Sequence, residues 1–90
     1  MNAMTRAALG RLSDVDGVEM LVTPGISLGA AAGIIEMLVA RQDSTRLKEA
    51  IHAVLRDEEK RFVMQRLAAD VFGTLGVKKE SLEMFISCIQ

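Results

Sequence analysis

The chain has 90 residues, which suits a single domain; half are apolar, and 11 basic residues against 12 acidic ones leave a net charge of −1. With no long basic block and only three aromatics, all Phe, nucleic-acid binding lacks both an electrostatic footprint and a stacking platform. A single cysteine excludes an intrachain disulfide, and a palette of Ala, Leu, Ile, Val and six Met builds helices more readily than strands.

Six helical segments are expected in chain order. The first covers about 3–12. Its residues Met1 to Leu12 include Arg6 and Arg11 but no long apolar core before a cleavage site, so no signal peptide is expected and a cytoplasmic location is. Ser13, with Asp16 three residues on, resembles a capping box and starts a short helical turn through Leu21. Val18 to Val22 is an apolar run that a short strand would also fit, but it has no obvious partner. Thr23-Pro24-Gly25 breaks the chain, because Pro24 forbids a helix through it and restricts Thr23.

The third segment, about 27–41, holds the run Ile26 to Ala40, in which Glu36 is the only charge. The run is too short to span a bilayer, which needs about 20 residues. Asp43 or Ser44 caps the fourth segment, about 45–56, whose stripe of Leu47, Ala50, Ile51, Val54 and Leu55 has the spacing of one buried face. Asp57-Glu58-Glu59 favours the start of the fifth, about 58–75, with a stripe of Met64, Leu67, Ala68, Val71, Phe72 and Leu75. Gly76 is a natural C-cap. The sixth, about 79–89, buries Leu82, Phe85, Ile86 and Ile89. Short loops make consecutive helices antiparallel neighbours. The expected architecture is all-α, a single domain of stacked helical hairpins: N-terminal helices in 1–22, one hairpin in 26–56 and another in 58–90.

Reaction chemistry is sparse. His52 and Cys88 are the single representatives of their types, and both read as packing residues, a histidine flanking a buried stripe and a small core thiol. Asp14 to Glu19 has a superficial likeness to a calcium loop but lacks the remaining ligands and the bidentate Glu at the required spacing. Asp57-Glu58-Glu59 reads as a solvated helix start rather than a metal site. No phosphate-binding glycine motif is present. The expectation is a protein that is not an enzyme and carries no metal or cofactor. Gly29 and Gly33 form a GxxxG spacing, which lets another helix approach closely.

The C-terminal hairpin carries a more specific pattern. Ala69 is followed at +3 by Phe72, at +4 by Gly76, at +5 by Ser81, at +4 by Phe85 and at +3 by Cys88. This order of small, large, glycine, small, large, small resembles the tetratricopeptide repeat over roughly Phe62 to Gln90. It departs from that family in lacking the early Trp and the terminal Pro. Stepping back by the family's period of about 34 residues maps Ala69 to Ile35, Phe72 to Leu38, Phe85 to Ile51 and Cys88 to Val54, so the apolar pattern persists while the small residues become large.

The resemblance implies stacked hairpins with an apolar groove lined by the first helix of each. Carried onto this chain, the groove positions are Gly29, Ala32, Glu36 and Val39 in the earlier hairpin and Val63, Arg66, Asp70 and Gly73 in the later one. About three such repeats are needed for independent stability, and this chain has room for two. The implied function is a small adaptor or chaperone that holds a helical partner in that groove. In size and polarity the chain is similar to the needle-subunit chaperones of bacterial type III secretion (the YscG kind). That likeness implies another protein chain as partner, a helical segment of a secreted subunit or a co-chaperone, with no nucleic acid and no membrane span. A second reading is a self-associating structural or regulatory module, a homodimer in which the Ile26 to Ala40 helix pairs with its own copy.

Overall fold

The computed structural model describes residues 11–41, 43–70 and 72–90. The expected first helix, about 3–12, lies outside the described residues apart from Arg11 and Leu12, which form a turn. Among the described residues the fold is all-α: α1 (Asp14–Leu21), α2 (Leu28–Ala40), α3 (Ser44–Val54), α4 (Glu58–Asp70), a 3-10 turn (Phe72–Thr74) and α5 (Lys79–Ile89). Val18 to Leu21, which a strand would also have fitted, belong to α1.

Each early helix starts where a short polar side chain can satisfy a first-turn amide. The Asp16 amide donates to Ser13 Oγ at 3.1 Å, the Ala30 amide to Ser27 Oγ at 3.2 Å, and the Arg46 amide to Asp43 Oδ1 at 3.0 Å. At the start of α4 the Glu59 and Lys60 amides both donate to Asp57 Oδ1. Gly25, at φ 82°, turns the chain between α1 and α2, and Gly76, at φ 59°, turns it ahead of α5.

The sequence expected one helix over about 58–75, but α4 ends at Asp70 and is replaced by the 3-10 turn. Gly73 supplies a physical reason, since glycine in a helix interior costs about 1 kcal/mol relative to alanine. The tighter turn carries Phe72 into the core, where its ring meets Phe85 edge-on with centroids 5.8 Å apart.

One core serves the described residues. It contains Val18 and Leu21 of α1, Ala31, Ile34, Ile35 and Leu38 of α2, Leu47, Ile51 and Val54 of α3, Met64 and Leu67 of α4, then Phe72, Leu75, Phe85 and Cys88. No polar or charged residue is buried among those described. The helix pairing does not follow chain order. The most extensive contacts among the described residues are α1 on α3, α3 on α5, α1 on α2 and α2 on α5, while the neighbours α2 and α3 touch less. Arg41, at the end of α2, donates to the Asp14 carboxylate and to the Leu12 carbonyl, closing α1 against α2.

Candidate functional site

The two apolar-lined concavities that matter here lie on different parts of the bundle. The first is a cleft of about 570 Å³ between the C-terminal half of α2 and the start of α5. From α2 come Glu36, Val39 and Ala40, which share a face by their three- and four-residue spacing. The inward face of the same helix is Ala31, Ile34, Ile35 and Leu38. From the other wall come Lys78, Glu80, Ser81 and Met84. Val39, Ala40 and Met84 give the cleft its apolar content, with Glu36, Glu80 and Lys78 exposed around it. Among the described residues none of these three charges enters an ion pair, whereas Lys79 next door pairs with Glu83. Lys78, the N-cap residue of α5, makes no side-chain cap, and Glu80 in the first turn complements the helix dipole.

The second concavity, about 320 Å³, lies between the α1–α2 connection and α4. Leu21, Pro24 and Ile26 line one side, and Phe62, Val63, Leu67, Arg66 and Asp70 the other.

The eight residues that the sequence placed along one groove are therefore divided. Glu36 and Val39 line the first cleft, while Val63, Arg66 and Asp70 line the second. Gly29 and Gly73 are exposed and Ala32 is half-buried, and these three line neither. Of the repeat-like positions, Phe72, Phe85 and Cys88 are buried, Ser81 is half-buried and Ala69 is exposed. The residues that sequence reasoning missed are Lys78, Glu80, Ser81 and Met84. They face α2 through a pairing of helices distant in sequence, and no local pattern announces it.

His52 and Cys88 are not brought together. The Cys88 thiol donates to the Ser44 carbonyl at 3.8 Å. His52 lies eight residues further along α3, roughly 12 Å of axial rise. Its imidazole is exposed beside Leu55, Arg56, Arg61 and Ile89. Burial pushes the Cys88 thiol above its ordinary pKa of 9.0, with Lys48 pulling weakly the other way. The fold thus retains the neutral thiol. Its contribution to stability is fully present below pH 9.0 and is lost as pH rises through the raised value. Native protein at neutral pH is expected to react with iodoacetamide far more slowly than protein unfolded in urea, followed by mass spectrometry. Equal rates would contradict the buried placement.

Among the described residues no group of three or more His, Cys, Asp or Glu side chains is arranged to hold a metal, and no helix is long and apolar enough to cross a membrane. Asp14 and Glu19, from the calcium-like stretch, are instead paired with Arg41 and Lys60. In comparisons with known proteins, no family model matches the chain, and no curated protein and no solved structure is significantly similar to it.

Proposed function

We propose that this chain is a small adaptor or chaperone that holds an amphipathic helix of another protein in the cleft between α2 and α5. The observation that carries the reading is the cleft itself: apolar Val39, Ala40 and Met84 flanked by Glu36, Glu80 and Lys78, none of which has an ionic partner among the described residues. A helix laid there would bury an apolar stripe and set basic residues against the two carboxylates. The more specific form of the proposal is a cytoplasmic chaperone for a self-assembling secreted subunit, of the type III needle kind, in which the apolar surface of the subunit is covered before export. Its support is the repeat-like order in the last hairpin.

Glu36→Lys tests the reading. Once a partner has been isolated by affinity capture and mass spectrometry, titration with its binding segment should show roughly tenfold weaker affinity, about 1.4 kcal/mol. The helicity of the free chain should be unchanged, because Glu36 is exposed and makes no described contact that the fold needs. Unchanged affinity would remove Glu36 from the binding surface and with it the cleft as the site.

A further inference from the structure

We propose that the hollow between the C-terminal end of α3 and the start of α4 binds a small phosphate monoester, its phosphate held by Arg56, Arg61 and His52 and its apolar body set against Leu55 and Ile89. These five side chains line a concavity of about 300 Å³, at the low end of the range for small-molecule sites. His52 stands in the last turn of α3, Arg56 just beyond the helix end and Arg61 in the opening turn of α4. All three are exposed, while Leu55 and Ile89 are half-buried.

Charge indicates the occupant. No carboxylate lines the hollow. Elsewhere cations are answered, Arg41 by Asp14, Lys60 by Glu19, Arg66 by Asp70 and Lys79 by Glu83. Among the described residues Arg56 and His52 enter no ion pair, and Arg61 reaches only Glu58, at 4.0 Å, whose side chain is 91% exposed. A pair so open to water contributes little and is readily exchanged for a better anion. Asp57, the acid next to Arg56 in the chain, already accepts from the Glu59 and Lys60 amides. Helix chemistry accounts for part of the cluster, since His52 and Arg56 complement the negative end of the α3 dipole. Arg61 does the reverse, standing near the positive end of α4. Its arrival beside Arg56 gathers like charge that a bound anion would relieve.

The phosphate follows from the donors. A guanidinium offers paired N–H groups that match two oxygens of one anion, and two guanidiniums offer more donors than a single carboxylate can use. The imidazole adds a further N–H. A phosphate monoester brings about −1.5 to −2 of charge and three strong acceptor oxygens. Inorganic phosphate alone would leave Leu55 and Ile89 uncovered, whereas an apolar body removes them from water. The hollow shares no residue with the α2–α5 cleft, so the two proposals stand or fall separately.

Titration of the isotope-labelled full chain with phenyl phosphate at constant ionic strength, followed by amide chemical shifts, tests this. The shifts should saturate and centre on His52, Leu55, Arg56, Arg61 and Ile89, with inorganic phosphate and benzoate each binding more weakly. Arg56→Gln and Arg61→Gln should each weaken phenyl phosphate binding roughly fivefold or more. Arg46→Gln, which removes an exposed arginine at the other end of α3, should leave it unchanged. Circular dichroism reports that each variant stays folded. Shifts that fail to saturate, or binding weakened equally by Arg46→Gln, would reduce the cluster to a general attraction for anions and overturn the site. Benzoate binding as tightly as phenyl phosphate overturns the phosphate assignment, and inorganic phosphate binding as tightly overturns the role of Leu55 and Ile89. A phosphotyrosine peptide that binds more tightly than phenyl phosphate overturns the assignment to a small free molecule.

Discussion

Phe85→Ala is expected to lower the stability of this chain by about 3–5 kcal/mol. Phe85 has no solvent exposure, and its ring is the edge-on partner of Phe72. Its helix, α5, packs on both α2 and α3, so the cavity left by truncation would open at the junction of three elements. The lost aromatic pairing adds about 0.5–1.5 kcal/mol beyond the area uncovered. Domains of this size have only about 5–15 kcal/mol in total, so the variant should melt far below the wild type, by roughly 4–8 °C per kcal/mol. Urea unfolding would register it as a lower midpoint at unchanged slope. A loss under about 1 kcal/mol would mean that α5 is not packed as described.

The second large effect comes from making a residue bigger. Gly17 is buried in the middle of α1, and a methyl group built there would lie 3.1 Å from Leu38 Cδ2 and 3.4 Å from Met37 Cε. Alanine gains about 1 kcal/mol of helix propensity at such a position. It also asks Leu38, itself in the core, to give by a few tenths of an ångström, so Gly17→Ala should be close to neutral. Leucine has nowhere to go. Gly17→Leu should cost about 1–3 kcal/mol or more, because α1 must be pushed off α2. That displacement would also pull Asp14 from Arg41. Chemical denaturation of both variants separates the effects, and a leucine variant as stable as the alanine one would contradict the close approach of the two helices.

What could be read directly from the sequence was chemistry that acts within a few residues. Ser13 and Asp43 cap their helices because a hydroxyl or carboxylate reaches an amide three residues on, whatever the rest of the chain does. The buried stripe of α3 was visible for the same reason, as Leu47, Ala50, Ile51 and Val54 follow the helical repeat. The end of α4 was hidden. The apolar spacing runs on through Phe72 and Leu75, and the only local sign of a break is Gly73, whose cost is small enough for packing to override.

The candidate site was half legible. Glu36 and Val39 stand out as a lone acid and an apolar neighbour on the outer face of a helix whose inner face is core. Their counterparts Lys78, Glu80, Ser81 and Met84 depend on α5 lying against α2, two helices separated by α3 and α4 in the chain. A contact of that kind is decided by how the core closes as a whole. For the same reason the expected single groove became two concavities: α4 presents Val63, Arg66 and Asp70 to the α1–α2 connection rather than to the cleft containing Glu36.

The place of α4 has a consequence for the order in which the molecule comes apart. Among the described residues, helices α1, α2, α3 and α5 are mutually braced, each packing on at least two of the others, while α4 gives Met64 and Leu67 to the core and has its most extensive backbone contact with the 3-10 turn that follows it. The least costly excursion from the native state is therefore the lifting of α4 as a unit, with the four-helix frame left standing. Amide protons of α4 should be the first of the helices to exchange with solvent.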